Sequence, residues 1–114
     1  MSELGQKIIE GVRAAAAGRP DYIYPKDGSG CWYIRDYSPS CLVGHALWAA
    51  GLIDEDWRGD DYGAIADVVL HEKWPLDEDE VHWLSTVQKN QDIGRPWGDA
   101  VAIADDKSDD DPER

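Results

Sequence analysis

Cys41 and His45 stand four residues apart. On a helix that spacing places both side chains on one face. A thiol near the positive end of a helix, with an imidazole in reach, is the smallest arrangement that makes a sulfur nucleophile. Neither an orienting group nor a set of oxyanion donors accompanies the pair. The competing reading is a small buried cysteine above a hydrogen-bonded histidine. Cys31, Cys41, His45, His71 and His82 are all the soft or imidazole ligands in the chain. Structural zinc sites use four such ligands with short paired spacings, and only Cys41 to His45 has one. A Cys₂His₂ site would need a hairpin to carry Cys31 to the start of the Cys41 helix, and no metal is assigned. The two cysteines would pair with each other only in an oxidising compartment.

Carboxylates are the second resource. Asp54, Glu55, Asp56, Asp60 and Asp61 cluster in one connector, and Asp77 to Glu80 in another. Calcium loops alternate oxygen ligands around a fixed glycine, and that pattern is absent. Acids at helix starts serve stability by themselves. Rows of carboxylates can also imitate a nucleic-acid backbone facing a basic groove. Aromatic rings are the third resource. With no Phe, 6 Trp and 5 Tyr, every aromatic ring carries a polar atom, which suits a core edge or an interface. Trp32, Tyr33 and Tyr37 on or after a hairpin, Trp57, and the five acids of the first connector are the candidates for a partner-binding surface. No Gly-rich phosphate loop, Ser nucleophile elbow or basic stripe is present, and no cofactor is called for.

The elements that must position these groups follow from spacing. Ser2 caps a predicted helix over about 3–17, with Leu4, Ile8, Val12 and Ala15 at helical intervals. Aromatic and β-branched runs at 21–25 and 31–35 flank Asp27-Gly-Ser-Gly30 and predict a β-hairpin. Ser38 as cap and Pro39 as first residue open a helix that runs to Ala50 before Gly51. It is apolar nearly all round, which predicts a central buried helix. Asp60 or Asp61 caps a helix over about 61–71. Asp77 with Glu80 forms a capping box for one over about 78–91, in which Val81, Leu84, Val87 or Gln88, and Gln91 share a side. A short helix at about 96–104 presents Trp97, Ala100, Val101 and Ala104.

A chain of 114 residues fits one domain. The expected fold class is α+β: four or five helices around a central buried helix, with one β-hairpin, over residues 1–104. Residues 105–114 are expected to form a disordered acidic C-terminal tail. The net charge is −13, of which −4 lies in that tail. So negative a chain is a poor binder of nucleic acid or anionic lipid, and it suits a basic partner. No segment approaches the ~20 apolar residues of a membrane span, and no signal-peptide pattern opens the sequence, so the expected compartment is the cytoplasm.

Several runs carry a resemblance. They are Tyr22-Ile-Tyr-Pro25, Cys31-Trp-Tyr-Ile34, Pro39-Ser-Cys-Leu-Val-Gly-His-Ala-Leu47 with Gly51, Val87-Gln-Lys-Asn-Gln-Asp92 with Gly94, and Trp97-Gly-Asp-Ala-Val101. Together they resemble small uncharacterised proteins of actinobacteriophages, mycobacteriophages in particular, and of related actinobacterial genomes. The likeness covers roughly residues 21–104. It implies an accessory protein that works in the host cytoplasm by binding one host or phage protein, and it brings no catalytic assignment. Three functions follow as expectations: a noncatalytic protein-binding protein, a thiol enzyme using Cys41 and His45, and an acidic mimic of DNA.

Overall fold

A computed structural model describes residues 2–25, 32–57 and 63–110. Among these the chain forms, in order, α1 (Glu3–Gly18), β1 (Ile34–Arg35), β2 (Ser38–Pro39), α2 (Leu42–Ala49), α3 (Ile65–Glu72), α4 (Glu78–Asp92) and α5 (Trp97–Asp110). The two strands make one antiparallel hairpin. The fold is α+β and mostly helical.

α1 begins as its sequence predicts, with Ser2 Oγ accepting from the Gly5 amide at 2.8 Å. Its inner stripe buries Ile8, Ile9, Val12 and Ala16. α4 opens on the predicted capping box of Asp77 and Glu80. Glu80 does more than close its own helix. It is 2% exposed, and its carboxylate accepts from the Asp77 amide at 2.9 Å, Ser2 Oγ at 2.6 Å, the Ser2 amide at 3.0 Å and Gln6 Nε2 at 3.0 Å. One carboxylate therefore serves the first turns of two helices, whose N–H groups have no partner within their own helix. Gly5 lies so close that a Cβ there would collide with the Glu80 side chain.

Two further α4 side chains do the same for other helices. Gln91 Oε1 accepts from the Leu42 amide at 2.8 Å, at the start of α2. Gln88 Oε1 accepts from the Ile65 amide at 2.8 Å, at the start of α3. α3 has Ala64 at its cap position and no side-chain cap of its own. α2 buries Leu42, Val43, Gly44, Ala46 and Leu47, but the helix that packs against each of the other four is α4.

The structure departs from the sequence pattern in four places. No strand forms at 22–25, and residues 26–31, with the expected turn and Cys31, lie outside the described residues. The hairpin instead pairs Ile34 with Pro39 and Arg35 with Ser38, turning through Asp36 and Tyr37 at φ 54° and 64°. That is the left-handed two-residue connection favoured between twisted strands, here without its usual Asn-Gly. Pro39 is therefore a strand residue rather than the first residue of a helix. Cys41 takes the cap position of α2, its Sγ accepting from the Gly44 amide at 3.4 Å. α3 begins at Ile65, and the expected caps Asp60 and Asp61 lie outside the described residues.

The fourth departure is at the C-terminus, where α5 runs on to Asp110 through the first part of the expected disordered tail, while residues 111–114 lie outside the described residues. Asp105 holds it there. Its carboxylate takes a paired bond from Arg13 at 2.7 and 2.8 Å and another from Trp83 Nε1 at 2.9 Å. Those partners come from α1 and α4, which no local pattern announces. No helix among the described residues is long and apolar enough to cross a membrane.

Burial alone would raise the Glu80 pKa, but the bonds from Ser2, Asp77 and Gln6 outweigh it and hold the group below its ordinary 4.5. A carboxyl depressed on folding stabilises the fold fully above that ordinary value and loses the contribution as pH falls through the folded one. In urea denaturation the contribution of Glu80, read as the difference between the native protein and Glu80→Gln, should therefore be level from neutral pH to about 5 and decline below it. Glu80→Gln should cost about 1–3 kcal/mol at pH 7 and flatten the acid decline. An unchanged acid slope in that variant would assign the decline to other groups.

Candidate functional site

Cys41 has no exposed surface. Its thiol is spent on the cap of α2, and the hairpin covers it: a Cβ on Gly44 would run into the Tyr33 backbone. The backbone bonds from Ser40 N to Tyr33 O at 3.0 Å and from Cys41 N to Trp32 O at 2.8 Å bind that cover down. His45 is half-buried with its ring edge-on to Trp97 at 5.5 Å. Burial and then the Arg19 charge lower its pKa below the ordinary 6.5, against a bond with the Ser40 backbone that raises it. The neutral imidazole is thus favoured, but the Cys41 sulfur is closed to a substrate. Among the described residues, no three of His, Cys, Asp and Glu gather where they could hold a metal. His71 lies in the last turn of α3 and His82 is exposed on α4.

The other candidates partly converge. Trp32 and residues 34–37 of the hairpin, with Glu55 and Trp57 of the connector after α2, wall an open groove of about 350 Å³. Trp32, Tyr37, Glu55 and Trp57 were expected at a surface, and Ile34, Arg35 and Asp36 join them there. Asp54 and Asp56 are exposed beside Glu55, with Asp54 Oδ1 accepting from the Asp56 amide at 2.9 Å.

Tyr33 is corrected. It is 0% exposed and belongs to the core, where its hydroxyl donates to the Gly63 carbonyl and accepts from Gln88 Nε2 at 2.6 Å. Alternation along the strand sends Trp32 and Tyr33 to opposite faces, and the inner face claims Tyr33. Its ring then supports the groove from below, meeting Trp57 edge-on at 5.7 Å. Trp57 is pinned from the other side by its Nε1, which donates to Glu72 Oε1 of α3 at 2.9 Å.

Two features of this groove are not accounted for by folding. Tyr37 is 71% exposed although its backbone is left-handed at φ 64°, a conformation costly for a bulky residue. The Trp32 indole nitrogen is buried and, among the described residues, has no hydrogen-bond partner. Native proteins leave few such groups, and each asks for a reason. The Arg35 guanidinium lies over the Trp32 ring, 5.5 Å from its centroid. A second groove, of about 440 Å³, lies along α3 and the start of α4, walled by Val69, Leu70, Lys73, Trp74, Leu76 and Val81. It is apolar, with Leu70 79% exposed, and its sequence gave no surface signal beyond one extra apolar residue on α3.

Burial sets two expectations. In a Cys31→Ser background, Cys41 should react with a disulfide reagent at pH 7.5 roughly 100-fold more slowly when native than when unfolded in urea. His45→Ala should leave the native rate unchanged, whereas a fast rate lost in that variant would restore the thiol mechanism. Replacing the strained residue, Tyr37→Gly, should raise stability by about 0.5–1 kcal/mol in urea denaturation, the left-handed penalty less the glycine entropy.

No protein-family model, curated protein or solved structure matches the chain.

Proposed function

We propose that this chain is a noncatalytic binding protein whose hairpin–connector groove seats a segment of a protein partner. The observation that carries this reading is Tyr37, a large aromatic side chain left 71% exposed on a backbone that glycine would occupy at lower cost. Strain of this kind is retained where a side chain has work outside the fold. Exposed aromatics beside half-buried ones are the usual anchors of interfaces. The carboxylates of Asp36 and Glu55 line the same groove, and the net charge of −13 favours a basic partner over a nucleic acid or an anionic membrane. The phage resemblance fits an accessory protein at work in the host cytoplasm. The buried thiol gives the enzymatic alternative no comparable support.

Tagged protein should retain a partner from an actinobacterial lysate. The informative comparison is between variants. Tyr37→Ala and Glu55→Lys should each lower its recovery about tenfold, as the loss of an interface anchor does, with their unfolding curves unchanged or improved. Glu10→Lys, on the exposed face of α1, should retain it fully. Equal recovery by all three variants would remove the groove from the function. A retained protein that duplex DNA displaces, with a steep dependence on salt, would assign the chain to DNA mimicry instead.

A further inference from the structure

We infer that the groove recognises a lysine or arginine side chain presented by an extended segment of the partner, and that Arg35 occupies the cation position until the partner arrives. The inference rests on the binding reading above and names what is bound.

The wall is built for a cation. Its aromatic members are Trp32, Tyr37 and Trp57, and its charged members besides Arg35 are the carboxylates of Asp36 and Glu55. Aromatic faces attract ammonium and guanidinium groups through their quadrupole, and neighbouring carboxylates add direct attraction. A long aliphatic stem ending in a charge matches such a wall along its whole length. Arg35 already demonstrates the contact, with its guanidinium 5.5 Å from the centroid of the Trp32 ring. Because that cation is tethered to the chain itself, an incoming one must compete with it.

The Trp32 indole nitrogen supplies the second half of the inference. It is buried and, among the described residues, without a hydrogen-bond partner, on a residue that lines this groove. Displacement of the Arg35 head frees the Trp32 ring face for the incoming cation. An extended segment then offers a main-chain carbonyl to accept from Nε1, as strand-like ligands do on their receptors. A second copy of this chain is a poor occupant, since each carries −13. The α3–α4 groove lacks both features, having a lysine and no carboxylate in its wall.

The test uses the full chain and a blocked peptide, acetyl-Ala-Lys-Ala-Lys-Ala-amide, with norleucine in place of lysine as the uncharged control. The readout is the set of indole N–H resonances in a ¹⁵N spectrum. The lysine peptide should move the Trp32 and Trp57 signals saturably, and the norleucine peptide should not. Glu55→Gln should weaken binding about two- to fivefold. Arg35→Ala should tighten it about twofold or more, because the internal competitor is gone. Lys89→Ala, which changes net charge equally from an exposed position on α4, should leave affinity within that margin. Equal shifts with norleucine, weaker binding by Arg35→Ala, or equal tightening by Lys89→Ala would each overturn the inference. A partner captured through Tyr37, combined with no response to the lysine peptide, would sink this inference and leave the binding function standing.

Discussion

Helix starts expose amide groups that must find acceptors, and in this protein one helix supplies the acceptors for three others. Glu80, Gln88 and Gln91 lie along one side of α4 and reach the first turns of α1, α3 and α2. Each buried amide left without such a partner would cost about 1–3 kcal/mol. The three contacts therefore do more than hold α4 in place. They require the N-termini of three helices to point at a single surface, which removes most other ways of packing the same elements. Gln91 extends the arrangement to α5, since its Oε1 also accepts from Trp97 Nε1 at 3.2 Å. The amides that open α5 are met by carbonyls of the segment after α1, at Tyr22 and Pro20.

Seen from the chain alone, caps that close on themselves are readable. Ser2 before α1 and Asp77 with Glu80 before α4 sit at fixed short offsets from the turns they serve, and both are where the pattern puts them. Caps that close across the fold are not readable. Gln88 and Gln91 read only as inward-facing positions, because a glutamine's partner 23 or 49 residues away leaves no trace in its neighbours. The same limit hides Asp105, which looks like the start of a solvated tail until Arg13 and Trp83 are beside it. Pro39 misled for a different reason. Proline suits a helix start and an edge strand equally, and the Asp36–Tyr37 turn that decides between them uses a residue rarely found at positive φ.

The groove inherits its rigidity from this network. Tyr33 is bonded to Gln88, which is bonded to α3, and Trp57 stands between Tyr33 and Glu72 of α3. The base of the groove and its Trp57 wall are thus fixed to the helical body, while Tyr37 and the neighbouring acids stand in water. Half of the surface was legible, because aromatic and acidic residues advertise themselves by type. What was not legible is which of them the core would take, and Tyr33 went inward.

The bond between Ser2 and Glu80 spans 78 residues, and this bears on the order in which the protein is made. α1 leaves the ribosome before α4, yet the Ser2 amide at its start waits for Glu80 until α4 has followed it. Arg13, further along the same helix, waits longer still, for a partner 92 residues downstream. Of these five helices α1 is therefore among the last to be secured, and a nascent chain short of α4 holds three helix starts that lack the acceptors Glu80, Gln88 and Gln91. Completion of this fold is tied to the arrival of its final third, so a prematurely ended chain is left open to proteolysis instead of persisting as a partly folded fragment.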